Sequence, residues 1–368
     1  MKLGVLGGGQ LGRMLGLAGI PLGLRFRFLD ASAEVPAAAV GEVHAGAYTD
    51  LAALARFAAG LDLVTLEFEN VPADACRTLA RTLPVLPGAR ALAEAQDRLR
   101  EKTLFRELGI PVPRFAPVDD ATSLQRALGE VGLPAVLKTR RLGYDGKGQV
   151  VLREAADAVP ALAALGGREL ILEEWIPFER ELSLLAVRSR GGALACYPLV
   201  ENQHRGGILA LSRSPARGIT PALEQEADRH ARALLERLEY AGVLAIEFFQ
   251  RDGRLLANEI APRVHNSGHW TIEGAVTSQF ENHLRAVLGW PLGDTAPRGH
   301  AAMINLVGTH PPAAELARLP RTHVHLYGKE PRAGRKLGHL TLVEASPSEL
   351  ERHLDAVLRA VRPELAGA

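Results

Sequence analysis

Two glutamates lie in neighbouring apolar stretches within residues 243–270. Glu247 stands in Val-Leu-Ala-Ile-Glu-Phe-Phe and Glu259 in Leu-Leu-Ala-Asn-Glu-Ile-Ala, and Asp252-Gly253 between them is typical of a β-hairpin turn. A carboxylate inside an apolar strand is costly unless it is paired or bound to a metal. The hard oxygens of two carboxylates suit Mg²⁺. The alternative is a pair of solvent-facing glutamates on an edge hairpin.

The register of this hairpin decides whether the two carboxylates can share a metal ion. A two-residue turn places Glu247 opposite Asn258 and directs Glu259 to the other face of the sheet. A three-residue loop or a β-bulge would bring both glutamates to one face. A metal site therefore predicts an irregularity in this hairpin.

A polar run follows the second glutamate and is difficult to explain as ordinary surface. It contains Arg263, His265, Asn266, Ser267 and His269 within seven positions. This run favours a ligand site beside the hairpin over a solvated edge.

Lysine is scarce in this chain, which makes its positions informative. Only six of the 43 basic residues are Lys, and an ammonium group is a compact charge that suits phosphate oxygens. Lys138 stands in an apolar strand predicted at residues 135–139, just before a loop with three glycines at residues 143–149. Such a loop can close its backbone N–H groups around phosphates. The alternative is an ordinary β-hairpin loop.

A second glycine-rich turn, Gly7–Gly12, follows the first predicted strand and opens a helix. With Asp30 at the end of the next strand it fits the dinucleotide fingerprint, which would make the protein an NAD-dependent dehydrogenase. It also fits an anion site at a helix N-terminus, built from backbone N–H groups of Gln10 and Leu11, or a plain tight turn. A further strand ends at Glu67 and Glu69, at the sheet edge where open α/β sheets bind ligands.

The elements that must position these residues form a mixed α/β and α+β chain. A length of 368 residues suggests two or three domains. The main predicted elements after the first domain are a helix at 91–108, a strand at 169–175, a hairpin at 181–197, a polar turn at 202–207, a helix at 222–239, a turn at 325–336 and a helix at 348–361.

Composition excludes several classes of protein. A net charge of +1 argues against a general nucleic-acid or acidic-membrane binder, and no apolar run is long enough for a bilayer. The first residues do not read as a signal peptide. Two distant cysteines, Cys76 and Cys196, form neither a disulfide framework nor a zinc cluster. We expect a cytoplasmic protein without nucleic-acid or membrane partners.

Six motifs, taken in order along nearly the whole chain, resemble the N5-carboxyaminoimidazole ribonucleotide synthetases of the ATP-grasp superfamily. They are Gly8-Gly-Gln-Leu-Gly-Arg-Met14, Thr65-Leu-Glu-Phe-Glu-Asn70, Gly143-Tyr-Asp-Gly-Lys-Gly-Gln149, Asn258-Glu-Ile-Ala-Pro-Arg-Val-His-Asn-Ser-Gly-His-Trp270, Met303-Ile-Asn-Leu306 and Gly334-Arg-Lys-Leu-Gly-His339. The resemblance implies a Rossmann-like domain at residues 1–95, an ATP-grasp domain at 96–290 with a lid at about 114–180, and a small C-terminal domain at 291–368.

The resemblance also implies an activity. That family uses ATP, Mg²⁺ and bicarbonate to carboxylate 5-aminoimidazole ribonucleotide through carboxyphosphate, and it suggests a homodimer. Another purine enzyme of the superfamily, the formate-dependent glycinamide ribonucleotide transformylase, is the runner-up. A dehydrogenase and a non-catalytic nucleotide sensor are the alternatives from other classes.

The site residues that the resemblance implies fall into four groups. Glu247 and Glu259 would bind Mg²⁺. The ATP-binding residues would be Arg98, Lys138, Gly143, Tyr144, Asp145, Gly146, Lys147, Gly148, Gln149, Glu173, Glu174, Trp175, Ile176, Glu181, His204, Asn258 and Glu259. The catalytic residues would be Lys138, Tyr144, Asp145, Arg263 and His265. The substrate-binding residues would be Gln10, Leu11, Glu67, Glu69, Asn266, Ser267, Lys329, Arg335 and Lys336.

Within the ATP set, residues 173–176 would contact adenine through the backbone, and Glu181 would hold the ribose hydroxyls with His204 nearby. Two positions depart from the pattern. Ala261 stands where other ATP-grasp enzymes often place a metal-binding Asn, and Leu142 stands where we expect a glycine.

Overall fold

A parallel sheet of four strands forms the N-terminal part of the protein, in a computed structural model that describes residues 1–143 and 146–366. The strand order is β3-β2-β1-β4. The elements of this domain are β1 (Lys2–Leu6), α1 (Gln10–Gly19), β2 (Arg25–Asp30), β3 (Glu42–Ala45), α2 (Leu51–Ala58), β4 (Leu63–Leu66), α3 (Ala73–Leu79) and α4 (Ala89–Ala95). The near-continuous apolar runs of β1 and β4 are buried, as expected for parallel strands covered on both faces.

A linking helix and a small antiparallel sheet follow. The sheet has the order β5-β8-β6-β7, and we call it the lid sheet. The elements are α5 (Arg98–Glu107), β5 (Phe115–Val118), α6 (Ala121–Val131), β6 (Ala135–Thr139), β7 (Gln149–Leu152), α7 (Ala158–Ala164) and β8 (Leu170–Glu174). Lys138 lies on β6 and Glu173 on β8, which are neighbours in this sheet.

The remaining strands share one large sheet, the body sheet. Its order is β14-β13-β9-β11-β12-β15-β17-β16, with β10 paired to β9. The elements are β9 (Arg180–Arg188), β10 (Leu194–Cys196), β11 (Val200–Arg205), β12 (Ile208–Ser214), α8 (Pro221–Arg237), β13 (Gly242–Arg251), β14 (Arg254–Ala261), α9 (Thr271–Gly274), α10 (Gln279–Leu288), β15 (His300–Val307), α11 (Ala313–Leu316), β16 (Thr322–Leu326), β17 (Lys336–Glu344) and α12 (Pro347–Val361). The C-terminal strands therefore extend the sheet that carries both glutamates.

One apolar core joins the N-terminal domain to the body sheet. Leu15 and Phe26 of the first domain pack in the same buried cluster as Trp270 and Leu284. This packing sets the glycine turn after β1 beside the polar run that follows β14. No helix in the described residues is both long enough and apolar enough to span a bilayer.

Two of the predicted elements are wrong. The helix expected at residues 91–108 is two helices, α4 and α5, because the Asp97 carboxylate accepts hydrogen bonds from the N–H groups of Leu99 and Arg100 and starts a new helix. The polar turn expected at 202–207 is largely strand β11, since its polar side chains find partners on the neighbouring strands, such as Asn202 with Ser183 at 2.9 Å.

Candidate active site

The hairpin of β13 and β14 carries the predicted irregularity. Arg251 pairs with Arg254 across the Asp252-Gly253 turn, and the register then shifts between Glu247 and Phe248. Phe248 faces Ala257 and Glu247 faces Glu259, which leaves Asn258 as the extra residue of a β-bulge. The prediction that a bulge brings both glutamates to one face is therefore confirmed.

The two carboxylates repel each other, and each has one cationic or polar neighbour. Arg98 Nη1 lies 2.9 Å from Glu259 Oε2, and His265 Nε2 lies 3.2 Å from Glu247 Oε1. Burial, and next the charge of Glu259, raise the pKa of Glu247 to about 7. Burial also acts on Glu259, but Arg98 lowers its pKa below the ordinary value. Glu247 is therefore the carboxylate that most needs a cation.

This pair fits a magnesium ion. The described residues contain no cluster of three or more His, Cys, Asp or Glu side chains that could hold a metal, whereas Mg²⁺ takes one or two carboxylates and completes its shell with water and phosphate oxygens. The side-chain oxygen Oδ1 of Asn258 is buried beside the pair without a hydrogen-bond partner. Arg98 and His265 each contact one oxygen of a glutamate in the pair, as outer-shell partners of metal ligands do.

Basic side chains from α5 and the lid sheet converge on Glu173. Lys138 Nζ lies 2.9 Å and Lys102 Nζ 3.5 Å from Glu173 Oε2. Burial alone would raise the pKa of Glu173, but the charges of Lys102, Lys138 and Arg98 lower it to about 2. Glu173 is thus an ionised carboxylate that forms an ion pair with Lys138 on the neighbouring strand of the lid sheet.

The loop between β6 and β7 has three described residues in the left-handed backbone region. Gly146 and Gly148 have positive φ angles, and Leu142 has a φ of 62°, in the left-handed region that favours glycine. Leu142 is the position at which the family pattern led us to expect Gly. Tyr144 and Asp145 lie outside the described residues.

The loop between β6 and β7 reaches both the glutamate pair and the body sheet. Arg98 Nη2 donates to Gly143 O at 3.4 Å. A Cβ on Gly146 would stand 3.2 Å from Gly207, in the turn between β11 and β12. The described ends of the loop therefore approach the Arg98–Glu259 ion pair on one side and the body sheet on the other.

Two backbone N–H groups at the end of β8 donate hydrogen bonds within the protein. Glu174 N–H donates to Arg114 O at 2.8 Å, and Trp175 N–H donates to Pro134 O at 3.2 Å. Ile176 N–H makes no hydrogen bond in the part of the chain that the structure describes. Of the four residues predicted to contact adenine, Ile176 is the one whose amide N–H is available.

Glu181 and His204 are adjacent, as expected. Glu181 Oε2 and His204 Nδ1 are 2.8 Å apart on strands β9 and β11. Burial would lower the pKa of His204, but Glu181, followed by Glu247, raises it above the ordinary value. These groups lie on the body sheet, on the strands next to the glutamate hairpin.

The glycine turn after β1 is occupied by the chain's own carboxylates. Gly9 N–H donates to Glu67 Oε1 at 2.8 Å, Gly12 N–H to Glu67 Oε2 at 3.3 Å, and Gly8 N–H to Asp30 Oδ2 at 2.8 Å. A Cβ on Gly7 would stand 2.5 Å from Glu67. The glycines make room for Glu67, and the N–H groups that would bind a dinucleotide pyrophosphate are taken, which disfavours the dehydrogenase alternative.

The two candidate anion sites at opposite ends of the sequence are in contact in the structure. Lys329 Nζ donates to Gln10 Oε1 although the residues are 319 positions apart. Burial, and next the charge of Arg335, lower the pKa of Lys329 to about 8. Lys329, Arg335 and Lys336 lie close enough to repel one another, and Gln10 stands at the start of α1. This arrangement is suited to a phosphate group.

The polar run after β14 joins these regions. Arg263 Nη2 lies 2.7 Å from Glu69 Oε2, and His265 Nδ1 lies 2.9 Å from Ser267 Oγ. Asn266 and Asn305 exchange two side-chain hydrogen bonds at 2.7 and 3.1 Å. All these groups are half-buried or buried and have partners within the protein.

Sequence reasoning missed two residues, Glu101 and Lys102 of α5. Lys102 is fully buried and donates to Asn258 O at 2.7 Å and Ala257 O at 3.3 Å. Glu101 Oε1 accepts from Ile260 N–H at 2.6 Å. The scarcity of lysine marked position 102 for inspection, but its partners are 155 and 156 residues away in the sequence.

Three family profiles match the chain in succession. The ribonucleotide synthetase preATP-grasp domain matches residues 1–96, the ATP-grasp domain 103–280, and the phosphoribosylaminoimidazole carboxylase C-terminal domain 301–353.

Relatives and solved structures agree with these profiles. N5-carboxyaminoimidazole ribonucleotide synthase of Pseudomonas aeruginosa is 53% identical over 97% of this chain and 98% of the relative. The synthetase of Thermus thermophilus is 59% identical with a TM-score of 0.95, covering 98% of both chains. The Aspergillus clavatus synthase in complex with ADP and 5-aminoimidazole ribonucleotide is 31% identical with a TM-score of 0.91, covering 98% of both.

Proposed function

The chain belongs to the N5-carboxyaminoimidazole ribonucleotide synthase family of ATP-grasp enzymes, and from this membership we propose how its residues serve the reaction. It is an ATP-dependent ligase that carboxylates 5-aminoimidazole ribonucleotide in purine biosynthesis. Its fold is an ATP-grasp domain between a preATP-grasp domain and the C-terminal domain of the family. We propose domain boundaries at residues 1–95 for the preATP-grasp domain, 96–290 for the ATP-grasp domain and 291–368 for the C-terminal domain.

ATP binds between the lid sheet and the body sheet. Ile176 N–H is the donor for the adenine edge, and Glu181, paired with His204, accepts the ribose hydroxyls. Arg98, Lys138 and the loop at residues 143–149 surround the phosphates. The Glu173 carboxylate accepts a hydrogen bond from Lys138 Nζ, so the positive charge of Lys138 is positioned before the nucleotide binds.

Glu247 and Glu259 hold the metal site. Mg²⁺ held by these two carboxylates would supply positive charge beside the transferred phosphoryl group. Lys138 and Arg98 supply the remaining positive charge as the γ-phosphoryl group passes to a bicarbonate oxygen, which forms carboxyphosphate and ADP. Positioning and electrostatic stabilisation supply most of the rate enhancement in such transfers.

Arg263, His265 and Asn266 face the imidazole end of the ribonucleotide, next to the glutamate pair. Arg263 is oriented by Glu69, and His265 by Ser267. Burial, and next the charge of Arg263, lower the pKa of His265 well below its ordinary value, which favours the neutral form of this imidazole.

The ribonucleotide is held at its phosphate, between the first and last domains. Gln10, Leu11, Lys329, Arg335 and Lys336 supply the donors. This anchoring presents the exocyclic amine to carboxyphosphate or to the CO₂ that it releases. A C–N bond forms, inorganic phosphate leaves, and the amine loses a proton. A loop that excludes water is required because carboxyphosphate hydrolyses readily, and Tyr144 and Asp145 are proposed to belong to it.

The observation that carries this assignment is the pairing of Glu247 with Glu259, with Arg98 against the pair. The test is release of phosphate from ATP with bicarbonate, measured with and without 5-aminoimidazole ribonucleotide. We expect the ribonucleotide to stimulate release and to be consumed with equal stoichiometry. Stimulation by glycinamide ribonucleotide and formate instead would contradict the proposal.

We further propose a cytoplasmic homodimer that contacts no nucleic acid or membrane. Cys76 and Cys196 are both free thiols, as is usual in a reducing compartment. Leu17 and Ile20 of the first domain are about half exposed, at 47% and 50%, which supports an interface that includes this domain. Light scattering at micromolar concentration tests the dimer, and a monomer mass would contradict it.

A further inference from the structure

The bulge in β14 lies on an edge strand of the body sheet, where its outer backbone groups have no neighbouring strand. β14 ends the strand order of the sheet. An exposed edge with an extra residue is free to slip in register. A slip of one residue would return Glu259 to the other face of the sheet and separate it from Glu247.

Helix α5 covers this edge with two consecutive side chains. Lys102 Nζ binds the carbonyl oxygens of Asn258, the bulged residue, at 2.7 Å and of Ala257 at 3.3 Å. Glu101 Oε1 accepts from Ile260 N–H at 2.6 Å. The two side chains therefore bind the backbone immediately before and after Glu259.

Burial makes these contacts strong and specific. Glu101 is 2% exposed and Lys102 is fully buried. A buried ammonium or carboxylate group is costly unless its hydrogen bonds are made, and moving the bulge would take from Lys102 its carbonyl acceptors and from Glu101 its N–H donor. The helix and the strand edge thus stabilise one register.

We propose that Glu101 and Lys102 are positioning residues, which fix the bulge of β14 and so set the spacing of the Glu247 and Glu259 carboxylates for the metal ion. The inference rests on the proposed metal site. Neither side chain contacts the metal, and each acts through the backbone on either side of Glu259. Partners of this kind are worth about 10- to 100-fold in metal affinity.

The experiment measures binding of Mn²⁺, a spectroscopic substitute for Mg²⁺, by electron paramagnetic resonance with ADP present. Lys102→Met keeps the length of the side chain and removes the donor, and Glu101→Met removes the acceptor. We expect each to raise the Kd for Mn²⁺ by about 10- to 100-fold, with the Kd for ADP in EDTA changed by less than about threefold, because only the register at Glu259 is lost.

Glu101→Gln separates the hydrogen bond from the charge, since the amide oxygen still accepts from Ile260 N–H while the carboxylate is gone. We expect its Kd for Mn²⁺ to stay within about threefold of the native value. Lys102→Met also removes the contact of Lys102 with Glu173. Glu101 does not contact Glu173 in the described structure, so Glu101→Met tests the strand register without that change. If Lys102→Met does not fold, the comparison of Glu101→Met with Glu101→Gln decides.

Two neighbours on α5 are matched controls. Among the described residues, Thr103 donates only to Leu99 O of its own helix, and Leu104 is a buried apolar residue of that helix. Thr103→Val and Leu104→Ala should leave the Kd for Mn²⁺ unchanged even where they lower the melting temperature. Equal weakening in Leu104→Ala, or native Mn²⁺ binding in both Met variants, would overturn the proposal.

The metal site itself is tested by Glu259→Gln in the same titration. If the native protein binds no Mn²⁺, or Glu259→Gln binds it equally well, the proposed metal site is wrong. If Glu259→Gln abolishes binding while Glu101→Met and Lys102→Met do not weaken it, the metal site stands and only the positioning role fails.

Discussion

Replacing Glu247 with glutamine should stabilise the metal-free protein at neutral and higher pH, although it removes a metal ligand. Glu247 faces Glu259 directly across β13 and β14. Burial and the Glu259 charge raise its pKa from an ordinary 4.5 to about 7. Without a cation, the ionised form of Glu247 is therefore unfavourable in the folded protein, and the amide of the Glu247→Gln variant removes that cost while keeping the shape of the side chain.

The magnitude follows from linkage between protonation and folding. Below pH 4.5 the carboxyl is protonated in both states and contributes no pH dependence. Between about pH 4.5 and 7 the unfolded chain ionises while the folded protein keeps its proton, so stability falls as pH rises. The shift from 4.5 to about 7 corresponds to at most about 3 kcal/mol. Glu247→Gln should therefore match the native protein near pH 4.5 and exceed its stability by up to that amount above pH 7.

The assay is urea unfolding of both proteins from pH 4.5 to 8.5, without metal or nucleotide, with midpoints converted through the slope m. Glu174→Gln is the control of opposite sign. Burial would raise the pKa of Glu174, but Arg114 lowers it, so its replacement should cost stability above pH 4.5. Adding Mn²⁺ and ADP should stabilise the native protein more than Glu247→Gln. A Glu247→Gln variant less stable than the native protein at pH 8 without metal would refute the repulsion argument.

Substitutions at three other residues test the remaining parts of the site. Lys138→Ala should lower kcat at least about 100-fold because one positive charge at the transferred phosphate is lost. Lys138→Arg should not fully restore kcat. Near-normal ATP cleavage in Lys138→Ala would show that Lys138 does not contact that phosphate. Arg335→Ala should raise KM for the ribonucleotide strongly while KM for ATP barely changes. The native enzyme should discriminate against a ribonucleoside without phosphate more than the variant does. Equal discrimination by both enzymes would place the phosphate elsewhere. Glu181→Ala should raise KM for ATP but not for the ribonucleotide, measured by initial rates, and the opposite pattern would assign Glu181 to the other substrate.

The hairpin shows how much of a site can be predicted from chemistry alone. Two glutamates in apolar strands required a three-residue loop or a bulge if they were to share a metal, and a bulge is present. The sequence did not identify Asn258 as the extra residue. The position of a bulge depends on what covers the strand edge, and here that cover comes from α5.

The glycine turn after β1 shows why a local motif is ambiguous. A dinucleotide pyrophosphate and the Glu67 carboxylate are both acceptors for backbone N–H groups beside glycine. Glu67 comes from the end of β4, and its carboxylate reaches Gly9 and Gly12 only because β4 pairs with β1. The sequence pattern predicts an acceptor at the turn, and only the strand pairing shows that the acceptor is part of the protein.

Contacts between distant segments could be proposed from the sequence only as separate alternatives. Gln10 and Lys329 were two candidate anion sites, since nothing local relates them, and in the structure they are in contact. Lys102 is the harder case, because a lysine in an amphipathic helix is ordinarily a solvated residue. Its role depends on the carbonyl oxygens of Ala257 and Asn258, which no periodicity in α5 can predict. A fully buried lysine at the edge of a strand is therefore evidence that the register of the strand is under constraint, and here that constraint lies beside the proposed metal ligand Glu259.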